Sequence, residues 1–174
     1  MFDELSLNIL DIGMNSLAAG ATELRVTIIE NAGRDWLILR VRDNGRGMDK
    51  ATLWRVLAKN VSTKVSRNKQ IGLGLALLRQ TSEMCGGVFH IHSSPGKGTG
   101  VTASMRLSHV DRPPLGDLNA TILALCAANP NVNVQLEYRS DDETFHFSSK
   151  EGNTHEPRRT QKTQRESAAT SRAA

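Results

Sequence analysis

A carboxylate and two glycines end an apolar segment of this chain. Asp43 follows a run rich in Leu, Ile and Val, and Gly45 and Gly47 come two and four residues later. An aspartate at the end of a strand presents two acceptor oxygens to a donor such as an exocyclic amine. The glycines let the backbone approach a flat ligand closely or adopt a positive φ. Taken alone, an ordinary turn explains the segment better, because Asp-Asn-Gly is a common turn sequence.

A second pair of polar side chains lies earlier in the chain. Asp11 and Asn15 are four residues apart within an apolar periodic segment, which places them on one face of a helix. An amide oxygen is a hard ligand suited to Mg²⁺, and a carboxylate one turn away can orient or deprotonate a water. Taken alone, a polar helix edge in which Asn15 bonds local backbone explains this pair better.

Two further glycine pairs have chemical and structural interpretations. Gly72 and Gly74 open a helix after a polar, basic segment, and free N–H groups at a helix N-terminus attract phosphates. The alternative is a glycine-rich junction between loop and helix. Gly96 and Gly98 lie between two strands, just before Thr99, where a plain hairpin turn is the simplest interpretation of the sequence.

The elements that position these residues follow from hydrophobic periodicity and turn signals. The pattern predicts helices over 4–19, 49–58 and 72–85, strands over 22–30, 36–42, 88–92 and 99–107, and a mobile loop over 59–70. It therefore predicts an α+β two-layer sandwich, with helices on one face of a largely antiparallel sheet.

Beyond residue 110 the pattern changes twice. A helix over 118–128 and strands over 131–138 and 144–149 form a predicted αββ extension, residues 111–150, that either lengthens the main sheet or packs beside it. Residues 151–174 contain no large apolar side chain, which predicts a disordered tail. The first 110 residues then form the main domain.

Composition limits the class of protein. The chain has 174 residues, enough for one domain with a real core, and 4% aromatics, too few for nucleic-acid stacking platforms. Half of the net charge of +4 lies after residue 150, so the main domain carries too little charge for a nucleic-acid surface.

Cys85 and Cys126 have no Cys or His at metal-ligand spacing, which predicts that both are buried free thiols. Without a signal peptide or a membrane-spanning run, we expect a cytoplasmic protein with no membrane partner.

The four motifs, in this order, resemble the GHKL superfamily of gyrase, Hsp90, histidine kinase and MutL ATP-binding domains, which share the Bergerat fold. Residues 8–24 resemble the N box, 43–48 the G1 box, and the region from Gly72 to Leu107 the G2 box and following strands of a histidine kinase. The resemblance covers about residues 5–107 and not the remainder. The whole chain also resembles small stand-alone bacterial members.

The resemblance implies roles for particular residues. ATP and Mg²⁺ are the implied cofactors, with Asn15 coordinating the metal and Asp43 bonding the adenine amino group. The implied adenine pocket includes Gly45, Gly47 and Met48 and is supported by Thr99 through water. The implied phosphate site includes Gly72, Leu73 and Gly74, next to an ATP lid over 59–71. Lys64 resembles a lid lysine near the phosphates, although a solvated charge is an equally good interpretation.

Two departures from the family pattern bear on activity. Asp11 stands where the hydrolysing branches carry a glutamate as general base, and its side chain is one methylene shorter. No helix with a phosphoacceptor histidine precedes the N box, so we do not expect self-phosphorylation on histidine. Three functions stay open: slow Mg²⁺-dependent ATP hydrolysis with Asp11 positioning water, phosphotransfer in trans to a protein partner, and a non-catalytic, nucleotide-gated interaction module.

Overall fold

The computed structural model describes residues 4–59 and 73–157, which form four helices and one seven-stranded sheet. The helices are α1 (Leu5–Ala18), α2 (Lys50–Lys59), α3 (Leu73–Met84) and α4 (Leu118–Ala128). The strands are β1 (Glu23–Asn31), β2 (Trp36–Asp43), β3 (Phe89–Ser94), β4 (Gly98–Arg106), β5 (Asn133–Arg139), β6 (Glu143–Ser148) and β7 (Gly152–Pro157). Their order in the sheet is β3-β4-β2-β1-β5-β6-β7.

Alternation along the strands separates a buried face from an exposed one. In β1, Leu24, Val26 and Ile28 are fully buried, whereas Arg25 between them is exposed. The buried face packs against α1, α3 and α4 in one core. Because side chains alternate across a strand, this pattern is the one expected for a sheet covered on one side. The predicted α+β architecture is confirmed.

The segment after residue 110 lengthens the main sheet. Strand β5 pairs in parallel with β1, with Val26 opposite Leu136, and this parallel pair makes the sheet mixed. Helix α4 packs against α1 at Gly13, where a Cβ would lie only 2.6 Å from Cδ2 of Leu125. Residues of the extension, including Ile122, therefore belong to the same core as the first 110 residues.

The prediction of disorder from residue 151 onward is wrong for its first residues. Gly152–Pro157 form β7, which pairs antiparallel with β6. The segment contains no large apolar side chain, but pairing with the edge of β6 uses backbone N–H and C=O groups and does not require one. Residues 158–174 lie outside the described part of the chain.

Neither described range, 4–59 or 73–157, contains a helix long and apolar enough to cross a membrane. The predicted loop over 59–70 lies outside the described residues except for Lys59, which ends α2.

Candidate functional site

A cavity of about 300 Å³ lies between α1 and the sheet, close to the end of β2. Its walls are mostly apolar, with a few polar groups facing inward. The lining residues are Ile12, Asn15, Ser16 and Ala19 of α1, Val41 and Asp43 of β2, Arg46, Gly47 and Met48 after it, Val56, Leu75, Thr99 and Val101. An apolar concave surface with a small number of polar groups is the usual form of a small-molecule site.

Asp43 is the most firmly held polar group of the cavity. It ends β2 and is only 8% exposed. Oδ1 accepts hydrogen bonds from the N–H groups of Gly45 (2.8 Å) and Thr99 (3.2 Å), and Oδ2 accepts one from Oγ of Ser16 (2.8 Å). A carboxylate has about four acceptor sites. Oδ2 therefore keeps capacity for one more donor from the cavity.

The loop after β2 is fixed against the turn between β3 and β4. Gly47 has φ of 64°, and a Cβ there would lie 1.9 Å from the backbone oxygen of Ser94. The N–H of Gly96 donates to the carbonyl of Arg46 (2.8 Å), and the N–H of Met48 donates to Oγ of Ser93 (2.8 Å). Only glycine fits at position 47, because the backbone conformation and the contact both exclude a side chain.

The second polar group lies where α1 meets the start of α3. Oδ2 of half-buried Asp11 accepts from Nδ2 of Asn15 (3.3 Å) and from the N–H of Gly74 (3.2 Å). Burial raises the pKa of Asp11, and the hydrogen bonds from Gly74 and Asn15 partly offset this. Because Asn15 uses its amide nitrogen in this contact, its amide oxygen is left for other ligands.

Asn15 and Asp11 bring an amide and a carboxylate together, and oxygen ligands of these types could hold Mg²⁺. Within residues 4–59 and 73–157, no three His, Cys, Asp or Glu side chains come together as a metal site. Magnesium bound together with phosphates keeps several waters and needs only one or two protein oxygens. The amide oxygen of Asn15, beside the carboxylate of Asp11, meets that requirement.

Most of the predicted site residues gather in two neighbouring groups. Asn15, Asp43, Gly47, Met48 and Thr99 line the cavity. The remaining described ones lie next to these: Gly45 donates to Asp43, Gly74 donates to Asp11, and Leu73 begins α3. Lys64 and Gly72 lie outside the described residues. Thr99 contacts Asp43 directly through its backbone N–H, and its Oγ1 pairs with Oγ of Ser93 (2.9 Å).

Sequence reasoning missed Ser16, Arg46 and Ser93. Ser16 is 3% exposed and lies one turn after Ile12 on the helix face that meets the sheet. A polar residue at a core-facing position of a helix needs a partner, and this was the signal that could have identified it. Arg46, between the two glycines, and Ser93, in a strand, carry no comparable signal.

The fold and this two-part site are those of a domain that can hold a small ligand, and comparison with known proteins identifies its family. Residues 1–109 match the family described as "Histidine kinase-, DNA gyrase B-, and HSP90-like ATPase". That match covers more than half of the chain. The chain belongs to this family, as the motif order in the sequence indicated.

Individual relatives match over a small part of their length. The "Non-motile and phage-resistance protein" of Caulobacter vibrioides is 36% identical over 54% of this chain and 12% of its own length. "Sporulation kinase D" of Bacillus subtilis is 31% identical over 60% of this chain and 20% of its own length. The similarity thus concerns one segment of much longer proteins.

A solved structure, the "N terminal domain of a DNA repair protein", shares the fold. It superposes with a TM-score of 0.53 over 87% of this chain and 51% of its own, at 15% sequence identity. This similarity extends past the first 109 residues and therefore includes part of the αββ extension.

Proposed function

We propose that this chain binds Mg·ATP, with the adenine base in the cavity at Asp43 and the phosphates directed toward Asp11, Asn15 and Gly74. The observation that carries the proposal is the unused acceptor capacity of Oδ2 of Asp43, inside a mostly apolar cavity. The adenine amino group is a planar donor that this oxygen suits.

The cavity also has suitable size and walls for the base. Apolar side chains of Ile12, Val41 and Val101 line it, and such walls favour burial of a flat aromatic ring. Its volume of about 300 Å³ is at the lower end of the range of small-molecule sites. We therefore place the base there and the charged triphosphate at its more polar end.

At the phosphate end, each polar group of the chain has a separate task. Asn15 offers its amide oxygen to Mg²⁺, which when bound neutralises phosphate charge. The N–H of Gly74 lies at the start of α3, where the helix dipole favours an anion. This end of the site binds and orients the phosphates.

Asp11 is the candidate general base for slow ATP hydrolysis. Its carboxylate lies beside Asn15, and its raised pKa increases its affinity for a proton from water. The same arrangement permits transfer of the phosphoryl group to a protein partner in trans, and several relatives carry the name of a kinase. Hydrolysis is the function that we favour, because it needs no partner.

One observation favours the alternative, a nucleotide-gated interaction module without turnover. Oδ2 of Asp11 already accepts hydrogen bonds from Gly74 and Asn15. An oxygen occupied in this way is a weaker base toward water. In that case the nucleotide would regulate binding of a protein partner.

Incubation with Mg·ATP for several hours, with chromatographic measurement of ADP, tests the proposal. Calorimetry measures ATP binding in parallel. We expect the wild type to bind ATP and to form ADP, and Asp11→Asn to bind ATP without forming ADP. The exposed carboxylate Asp111 provides the matched control, since Asp111→Asn changes a carboxylate outside the site.

Each outcome separates the functions. Binding without ADP formation in the wild type supports the gated module, and labelled phosphate appearing on another protein supports phosphotransfer. Equal ADP formation by the wild type and Asp11→Asn contradicts the role of Asp11. Absence of ATP binding contradicts the whole proposal.

A further inference from the structure

Asn8 is a buried polar residue of α1 that the proposed function does not use. It is 3% exposed, and its Nδ2 donates a hydrogen bond to the carbonyl oxygen of Gly74 (3.3 Å). Gly74 is the second residue of α3. The first four N–H groups of a helix have no partner within it, so the N–H of Gly74 is free to bond elsewhere.

The same glycine is held a second time by α1. The N–H of Gly74 donates to Oδ2 of Asp11, one turn after Asn8. A Cβ at position 74 would lie 2.4 Å from this oxygen, so only glycine allows the approach. Both backbone polar groups of Gly74 are thus bonded to side chains of α1. We call Asn8, Asp11 and Gly74 the Gly74 clamp.

We propose that Asn8 is a positioning residue for the phosphate end of the bound nucleotide. The inference rests on the proposed function. By holding the carbonyl of Gly74, Asn8 fixes the start of α3 against α1 and directs the N–H of Gly74 toward Asp11 and Asn15. Asn8 itself is buried and acts through Gly74, without touching the ligand.

Because of the clamp, phosphate binding requires the N–H of Gly74 to exchange one hydrogen-bond acceptor, Asp11, for another, a phosphate oxygen. The N–H of Gly74 has one proton, and Asp11 accepts it in the structure described here. A phosphate oxygen is a second anionic acceptor for that proton. It can therefore bind the N–H of Gly74 once the hydrogen bond from Gly74 to Asp11 breaks. Oδ2 of Asp11 then keeps only its hydrogen bond from Asn15 and gains an acceptor site for water. Asn8 keeps the N–H in place during this exchange, because its own bond is to the carbonyl.

The test compares two ligands that share the base and differ in phosphate. Calorimetry on the full chain measures the affinities for Mg·ATP and for adenosine in the wild type, Asn8→Ala and Asn8→Leu. Leucine keeps the branched shape of asparagine, although it is larger, and cannot donate a hydrogen bond. Loss of one hydrogen bond predicts ATP affinity reduced about three- to tenfold, with adenosine affinity unchanged. Ser6→Ala is the control, because Ser6 is a buried hydroxyl of the same helix that bonds Glu4.

Adenosine binding shows that each variant is folded around the cavity. An unchanged ratio of ATP to adenosine affinity in both Asn8 variants would overturn the inference, whether both affinities hold or fall together. A wild type that binds adenosine but shows no preference for ATP would also overturn it. A wild type that binds neither ligand would overturn the proposed function as well.

Asp11→Asn tests the exchange separately. A neutral amide at position 11 competes less strongly with phosphate for the N–H of Gly74. Unlike a carboxylate, it also does not repel the negatively charged phosphate. We therefore expect ATP affinity to rise while adenosine affinity stays constant. A fall in ATP affinity would contradict the exchange.

Discussion

The two carboxylates of the site differ in how the protein holds them. Asp43 is buried inside the sheet and accepts three hydrogen bonds, two of them from backbone N–H groups. Asp11 is half-buried on α1 and accepts two hydrogen bonds, of 3.2 and 3.3 Å, both on the same oxygen. The first is fixed by strand geometry, whereas the second depends on how α1 and α3 pack.

In the proposed function, this difference combines rigid recognition of the base with a change of hydrogen-bond partners at the phosphates. A group that recognises the base gains from being fixed before the ligand arrives, since ordering costs less on binding. A group that acts on the phosphates or on water must change partners. We therefore expect substitutions at the two ends to affect different ligands.

The largest expected effect is at Asp43. Asp43→Asn removes the negative charge from the adenine pocket and reduces the number of hydrogen bonds that side chain 43 can accept. Hydrogen bonds to charged groups contribute about 1.5–3 kcal/mol, which predicts affinity for ATP and for adenosine lowered about 10- to 100-fold. Calorimetry with both ligands measures this, with Asp111→Asn as control. Wild-type affinity in Asp43→Asn would mean that the base does not bind here.

A smaller effect of the same kind is expected at Ser16. Ser16→Ala removes the hydroxyl that donates to Oδ2 of Asp43. Loss of one hydrogen bond of about 1 kcal/mol predicts a several-fold reduction, equal for ATP and adenosine. This sharpens the contrast with Asn8, whose variants are expected to change ATP affinity alone. If Ser16→Ala affected ATP only, the division of the site into two ends would be incorrect.

The raised pKa of Asp11, at the phosphate end of the site, predicts that the stability of the fold depends on pH. Because the pKa of Asp11 is raised in the folded state, its contribution to stability is full below its unfolded pKa and is lost as pH rises through the folded one. Asp11→Asn, which has no such charge, should therefore be more stable than the wild type at pH 7. We expect the free energy of unfolding to rise by less than about 1 kcal/mol, because the side chain of Asp11 is half exposed and solvent screens its charge.

Chemical denaturation at pH 7 and at pH 4 measures this difference. The stability advantage of Asp11→Asn should shrink toward the lower pH. An advantage that grows as the pH falls would reverse the assigned direction of the pKa shift.

The smallest effect on nucleotide binding is expected at a third carboxylate, outside the site. Tyr138 donates to Oε2 of Glu30 (2.9 Å), joining β5 to β1. Burial and this glutamate raise the pKa of Tyr138 to about 12. Its contribution to stability is full below the unfolded tyrosine pKa of about 10 and is lost as pH rises through about 12.

Tyr138 is the single tyrosine of the chain, so its ultraviolet titration can be followed directly. We expect ionisation near pH 12 in the folded wild type and a lower midpoint in Glu30→Gln, with ATP affinity unchanged in that variant. A midpoint near 10 in the folded wild type would exclude the contact.

The sequence predicted the four helices and the first six strands, because each depends on local periodicity, and it missed β7. It also predicted that Asp43 and Thr99 serve one site, because both belong to an ordered set of motifs. The contact between Ser16 and Asp43 could not be predicted from the motifs, since it depends on which face of α1 meets β2. The bond from Asn8 to Gly74 joins residues 66 positions apart, and neither residue type indicates the other.

Sheet topology was the other feature beyond prediction. The alternation of β5 shows a strand with one buried face, but it does not say which strand is its neighbour. The parallel pairing with β1 and the addition of β7 follow from backbone edges left free by the other strands.

The parallel pair has a consequence for solubility. In a chain cut after residue 109, the nine-residue strand β1 would become an edge, with its backbone groups unpaired and Leu24, Val26 and Ile28 beside them. An exposed edge next to apolar side chains is a template for pairing with other chains. Strand β5 covers that edge, so we expect the extension to limit aggregation of residues 1–109.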